Sequence, residues 1–178
     1  MKVITDEILK KKYDKLYKKF AKGEFLEVID GCKRVLKKRK HQLFFNLLSI
    51  AYQKNGKIEK SIDVMREALS LNPDHPNFLN NIGTCFYKLH KYSEAEKYFK
   101  KGLEIDKRHL HILNNLGNLK RETFKIEQSI NFYKKVLDIQ KDAVPTLFNL
   151  VGIYRITNQK EESKLYCKKI IELKKKIT

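Results

Sequence analysis

Phe78-Leu79-Asn80-Asn81-Ile82-Gly83 returns 34 residues later as Ile112-Leu113-Asn114-Asn115-Leu116-Gly117, and again, degraded, as Thr146-Leu147-Phe148-Asn149-Leu150-Val151. Counting back by the same period gives Phe44-Phe45-Asn46-Leu47-Leu48-Ser49. Downstream of each block the register holds: Lys57-Ile58-Glu59-Lys60-Ser61-Ile62, Lys91-Tyr92-Ser93-Glu94-Ala95-Glu96, Lys125-Ile126-Glu127-Gln128-Ser129-Ile130 and Lys160-Glu161-Glu162-Ser163. Such self-similarity marks a repeat architecture in which each unit buries its apolar face only against its neighbours. Large apolar residues stand at helical spacing within the first half of a unit (Leu79, Ile82, Phe86) and within the second (Tyr98, Phe99, Leu103, Ile105), so each unit is two short amphipathic helices. Small residues recur in two slots per unit, Ser49 with Ser61, Gly83 with Ala95 and Gly117 with Ser129, as close approach of antiparallel helices requires; Val151, facing Ser163, departs. Gly56 stands where one helix ends, and Asn72-Pro73-Asp74-His75-Pro76 breaks the chain between units.

The composition agrees. The chain has 178 residues, 42% of them hydrophobic and 34% charged, with three prolines and seven glycines. That is too apolar for disorder and too poor in turn residues for a β-sandwich. No apolar run reaches the roughly 18 residues of a membrane span, and Met1-Lys2-Val3-Ile4-Thr5-Asp6-Glu7 lacks the apolar core of a secretory signal, so a cytoplasmic location is expected. Cys32, Cys85 and Cys167 sit in apolar helical registers at no metal-ligand spacing and read as reduced core thiols.

On these residues the chain resembles the tetratricopeptide repeat family, whose pattern is a large apolar residue, then Leu-Gly, an aromatic, Ala, an aromatic and Pro. Leu79, Ile82-Gly83, Phe86, Ala95 and Phe99 match it, with Lys107 in place of the Pro. Phe45, Leu48, Tyr52 and Pro73 match in the preceding unit, and Leu113, Leu116-Gly117 and Tyr133 in the following one, which departs at Lys120 where an aromatic is expected. The last unit keeps Leu147, Leu150 and Tyr154 but carries Val151 for the Gly and Cys167 for the aromatic, and a looser crossing of its two helices is expected. The resemblance implies an all-α, right-handed α-solenoid of about five helix pairs. Its expected boundaries, within one array over 1–178, are an atypical capping unit at 1–41 and repeats at 42–75, 76–109, 110–143 and 144–178. The capping unit rests on the stripe Tyr13, Leu16, Tyr17 and Phe20, backed by lysines, and a second helix through Val28, Cys32, Val35 and Leu36.

Catalysis is not expected. His109 and His111 point about 200° apart on a helix and cannot chelate one metal. His75 merely precedes Pro76, the carboxylates are scattered among lysines, and Gly83, Gly102 and Gly117 lie inside helices rather than in a phosphate-binding loop. No cofactor and no metal site are expected.

Stacked helix pairs do offer a concave surface lined by the first helix of each unit. An exposed stripe of His111, Asn114 or Asn115, Asn118 and Arg121 or Glu122 is expected, flanked by Asn80, Asn81, Thr84 and Lys88, by Asn149 and Arg155, and by Asn46 and Lys54. Asn is a poor helix former, and its amide both donates and accepts, as the main chain of an extended peptide demands. The column Asn81, Asn115, Asn149, with Asn46 one place earlier, resembles the asparagine ladder of the tetratricopeptide superhelix in O-linked N-acetylglucosamine transferases, which implies main-chain recognition of a peptide. A dicarboxylate clamp of the co-chaperone kind is not implied, because its slots hold Asn80, His111, Asn114 and Pro145.

The 39 Lys+Arg against 21 Asp+Glu give a formal charge of +18. Lysine pairs such as Lys100-Lys101 and Lys134-Lys135, with the runs Lys37-Lys38-Arg39-Lys40 and Lys174-Lys175-Lys176, form ridges that could attract nucleic acid or an anionic membrane, yet aromatics for base stacking are not interleaved with them. Solvation of the surface is the favoured reading. The expected function is therefore a non-catalytic protein-interaction scaffold for an extended or acidic segment of a partner protein. Two alternatives stand beside it: the repeat arm of a larger glycosyltransferase or sulfotransferase, and a basic array for polyanions. Ile170, Ile171 and Leu173, with only a lysine-rich tail beyond, suggest an uncovered last face through which two copies could pair.

Overall fold

The computed structural model describes residues 5–175. The expected tail residues Lys176, Ile177 and Thr178, and residues 1–4 of the amino-terminal segment, lie outside them. Among the described residues every regular element is an α-helix: α1 (Asp6–Ala21), α2 (Phe25–Lys38), α3 (Gln42–Lys54), α4 (Ile58–Leu71), α5 (Pro76–Lys88), α6 (Tyr92–Ile105), α7 (Leu110–Glu122), α8 (Ile126–Ile139), α9 (Val144–Ile156) and α10 (Lys160–Lys175). The starts of α3, α5, α7 and α9 repeat every 34 residues, and so do those of α4, α6, α8 and α10. None of these helices is long and apolar enough to cross a membrane.

The described residues fall into two compact units, divided between Lys101 and Gly102. In the first, α1 packs on α2, α2 on α3, α3 on α4 and α4 on α5, while α1 touches α3 and α3 touches α5 across one helix. Its core runs through Leu16, Val28, Cys32, Phe44, Leu48, Met65 and Phe78. In the second, α7 packs on α8, α8 on α9 and α9 on α10, around Tyr133, Leu147, Leu150, Tyr154 and Ile170. Full burial of one such side chain contributes about 1.5–3 kcal/mol, so helices whose intrinsic stability is marginal at 13–16 residues are held by this packing.

The turn inside each unit has one geometry. Residues 23, 56, 90, 124 and 158 all have positive φ: Gly23 81°, Gly56 73°, and His90, Phe124 and Asn158 57° each. Around Gly56 the amide of Lys57 donates to the Tyr52 carbonyl at 2.9 Å and the amide of Gly56 to the Gln53 carbonyl at 3.2 Å, the paired bonds that close a helix with a left-handed residue. The same pair closes α5, α7 and α9, with Lys91, Lys125 and Gln159 donating to Phe86, Lys120 and Tyr154. Two of the helices that follow a longer connection are capped by a side chain: His41 and His109 accept from the amides of Leu43 and Ile112 through Nδ1, at 3.3 Å each, whereas His75 and Ala143 make no such bond. Pro76 and Pro145 fall in the first turn of their helices, where no amide donor is needed.

The small slots let the paired helices meet, and also admit a ring. A Cβ on Gly83 would stand 2.5 Å from the Phe99 ring, and one on Gly117 2.5 Å from the Tyr133 ring. Where the slot is Ser49 the residue sixteen further on is the slimmer Met65, and where it is Val151 it is Cys167. Bulk lost on one helix is thus gained on the other. Val151 is buried and Cys167 half-buried, so the last pair keeps its packing with the sizes exchanged. Ser49 and Ser61 share a hydrogen bond at 2.7 Å, and Ser129 donates to the Gly117 carbonyl at 2.7 Å, tying the two helices of each pair.

At the far end, α10 itself covers part of what the sequence leaves open. Ile170 is buried and Leu173 half-buried in the core of the second unit, while Ile171 and Leu165 are exposed.

Candidate functional site

In the first unit the first helices α3 and α5 carry the polar side chains. Asn81 Nδ2 donates to Asn46 Oδ1 at 2.9 Å, so two residues 35 apart in sequence form one amide pair across adjacent repeats. The same nitrogen lies 3.7 Å from Met65 Sδ. This leaves the amide of Asn46 as a donor and Oδ1 of Asn81 as an acceptor, both on half-buried residues. Asn80 is half-buried on the same helix, and its carbonyl accepts from the Thr84 hydroxyl at 2.9 Å.

Beside this pair lies a polar chain whose central member the sequence did not single out. Lys88 Nζ donates to Gln53 Oε1 at 2.9 Å, and Gln53 Nε2 donates to Ser61 Oγ at 3.3 Å. Cys85 Sγ donates to the same hydroxyl at 3.3 Å. Burial, reinforced by the neighbouring Lys54 cation and opposed by the Cys85 thiol, holds the Lys88 ammonium below its ordinary value. Burial raises the Cys85 thiol against the pull of the Ser61 hydrogen bond and Lys88, and pushes Cys32 up to about 12, so neither is a thiolate nucleophile near neutrality. Lys54 is exposed.

The second unit corrects the expectation of an exposed amide stripe on α7. His111 and Glu122 are exposed, but Asn114, Asn115 and Asn118 are half-buried. Asn114 donates to the Leu110 carbonyl at 3.3 Å and accepts from the fully buried Thr146 hydroxyl at 2.8 Å, which ties α7 to α9. Asn118 Oδ1 accepts from the Tyr133 hydroxyl at 2.6 Å, tying α7 to α8. The physical reason is that a buried Thr or Tyr hydroxyl needs a partner, and a mid-helix Asn supplies it. Asn149 is half-buried, with no side-chain hydrogen-bond partner among the described residues. Arg121 is half-buried and pairs with Glu122 at 3.3 Å, and Arg155 is exposed. Lys120 fills the slot in which Phe86 stacks on Tyr98 and Tyr154 on Tyr166, and is 5% exposed.

The model of one tetratricopeptide repeat matches residues 76–109, and a second such model matches 44–75, 110–142 and 144–177. The chain belongs to the tetratricopeptide repeat family. Solved structures with the same fold include the Pseudomonas aeruginosa protein pilF (TM-score 0.80, 15% identity, 94% of this chain and 77% of that one). BtubC from P. vanneervenii follows (0.77, 17%, 96% and 81%), with residues 41 to the end of MamA from Desulfovibrio magneticus RS-1 (0.73, 16%, 98% of each). At these identities the likeness is one of fold. No match is found among curated proteins. Tetratricopeptide repeats serve in general as scaffolds for protein–protein interaction, and repeats occupy most of this chain.

Proposed function

We propose that the chain is a non-catalytic scaffold, working as one array in the cytoplasm, that holds an extended, acidic segment of a partner protein against its amide-bearing first helices. The observation that carries the reading is the Asn46–Asn81 pair. Its internal bond orients both amides and leaves one donor and one acceptor, the complement of a peptide unit in extended conformation. Lys54 and Lys88 on the first unit, and Arg155 with Asn149 on the second, supply positive charge and a further amide beside these helices.

Phage-displayed unstructured peptides selected on the whole chain test this. Selected sequences should be rich in Asp and Glu, and affinity should fall about tenfold when Asn46 and Asn81 are both replaced by Ala, each lost neutral hydrogen bond accounting for about 0.5–1.5 kcal/mol. The Asn115→Ala/Asn149→Ala variant reads the second unit separately. Selected peptides that bind the folded variants with unchanged affinity would refute main-chain recognition by these amides.

A further inference from the structure

Beside the amide pair, the first unit leaves apolar side chains open to solvent. On α1, Tyr17 stacks on Tyr13 (ring centroids 6.0 Å apart, planes at 20°) and on Phe20 (6.3 Å, 23°), and Tyr13 meets Phe44 of α3 edge-on at 5.8 Å. Tyr17 is 54% exposed, and Tyr13 and Phe20 are half-buried. Opposite this row, Leu43 and Ile50 of α3 are exposed. At about 100° per residue they fall between Asn46, which is bonded to α5, and Phe44, which touches α1, so they stand on the flank of α3 turned towards the rings. One turn beyond Ile50 comes Lys54, exposed and without an ion pair among the described residues. After burial, its cation is what holds down the ammonium of Lys88 on α5, and no carboxylate among the described residues pairs with either to relieve their repulsion.

We propose that Tyr17 and Ile50 form a specificity site for the partner segment, seating one large apolar side chain, best an aromatic one, two positions away from a carboxylate held by Lys54 and Lys88. The site serves the segment proposed above and so rests on that reading, to which it adds a sequence pattern. The spacing follows from two rises. Asn46, Ile50 and Lys54 stand four residues apart, about 6 Å each along α3, while an extended chain presents side chains of one face every two residues, about 6.6 Å. A segment that runs along α3 and is hydrogen-bonded at Asn46 therefore brings its next side chain of that face over Ile50, and the one after it over Lys54. Because Tyr17 is stacked by one ring a turn before it and another a turn after, the row turns ring edges outward, and an edge packs well on the face of an incoming ring. The same stacking decides against a nucleic-acid base, which needs a ring face to lie on. A second copy of the chain would bring a charge of +18 to two cations already in repulsion, and five partly exposed side chains fall short of the roughly 800 Å² per partner that a stable pair buries.

The probes are fluorescein-labelled synthetic peptides of about ten residues, in a Ser-Thr frame, with Phe and Glu two positions apart in either order. Control peptides replace Phe by Ser, replace Glu by Gln, or place the two side by side, and oligo-dT of the same length stands for nucleic acid. With the whole chain at about 0.15 M salt, the better of the two spaced peptides should bind about tenfold more tightly than each control. Tyr17→Ala/Ile50→Ala should abolish the advantage of Phe over Ser and keep that of Glu over Gln, and Lys54→Gln/Lys88→Gln should do the opposite. If the first variant loses helicity, Ile50→Ser alone, at an exposed position, reads the same site. Asn46→Ala/Asn81→Ala should weaken every peptide by a similar factor. A loss in that variant with no advantage of Phe over Ser would overturn the specificity site and leave the scaffold reading intact; an advantage of Phe that vanishes in Tyr17→Ala/Ile50→Ala, in a chain indifferent to the Asn replacements, would support the site and refute main-chain recognition instead. Equal binding of the side-by-side peptide, tighter binding of oligo-dT, or no binding of either spaced peptide at about 1 mM would each overturn the site as well.

Discussion

Gly83 and Phe99 occupy one volume between them, as do Gly117 and Tyr133. A methyl at Gly83 must displace a fully buried ring, and neighbouring core offers no slack for it. Gly83→Ala is therefore expected to cost about 1–3 kcal/mol of stability, with Phe99→Leu in the same chain recovering part of the loss. Denaturant titration of both single variants and the double gives the coupling, and strictly additive losses would show that the two side chains do not share space. His75 makes a different kind of residue-scale statement. Its ring stacks on Phe78 at 4.0 Å, Nε2 meets Gln42 Oε1 at 3.0 Å, and Nδ1 is buried with no partner. An amide oxygen only accepts, so Nε2 carries the proton and Nδ1 is bare. Burial holds this imidazole below its ordinary value of 6.5, with the backbone hydrogen bond opposing. The unfolded chain then takes up the proton more readily than the folded one, so the contribution is fully present above about pH 6.5 and is lost as the pH falls through the folded value. Thermal unfolding should show a smaller drop between pH 7 and 5 in His75→Gln than in the parent; an equal drop in both places the sensitivity elsewhere.

At the scale of the element, the recurring turn carries its own test. Phe124 holds a left-handed backbone with its ring 89% exposed, a conformation that costs an L side chain about 1–2 kcal/mol and here returns little packing. Phe124→Gly should stabilise the chain by about 0.5–1 kcal/mol after the greater freedom of an unfolded glycine is deducted, measured as an upward shift of the thermal midpoint. A downward shift would mean that the ring makes a stabilising contact. These turns also show why sequence reading reached the helices but not their details. Helix spacing and the small slots follow from a 34-residue period of apolar side chains, which is a pattern of types and therefore visible. Gly56 marks its turn in the sequence, and Asn158 and His90 are types that tolerate a left-handed φ, whereas Phe124 adopts the same φ against its preference, because the packing of the flanking helices imposes it. The candidate site divides similarly. The Asn column is visible as a column, but the engagement of Asn114 by Thr146 and of Asn118 by Tyr133 depends on which way two helices face each other, and no spacing rule encodes that. Gln53 went unnoticed for the same reason: its partners Lys88 and Ser61 lie on two other helices.

For the whole molecule, the charge of +18 is unevenly used. Much of it is solvated singly or in short-range pairs such as Lys11 with Glu7 and Lys164 with Glu161, which stabilise little. Lys12, Lys15, Arg34, Lys37 and Lys38 on α1 and α2 are exposed and form no ion pair among the described residues. The regular spacing has a further result for how such a chain can lengthen or shorten. His41 and His75 are both residues that precede a first helix, and Phe44 and Phe78, Leu48 and Ile82, Ser49 and Gly83 are equivalent positions one period apart. Excising residues 42–75 joins His41 directly to Pro76, restoring a helix start of the same form and offering α2 a partner face of the same type that α3 presents. Such a deletion should yield a soluble protein with undiminished helicity per residue and a single cooperative transition, as far-ultraviolet circular dichroism and melting would show. Removing residues 42–57 alone, which takes out α3 and leaves α4 without the partner of its pair, should not. Repeats of this kind are thus units of inheritance as well as of structure: genetic slippage by one period changes the number of surfaces on offer while leaving every remaining turn and seam intact.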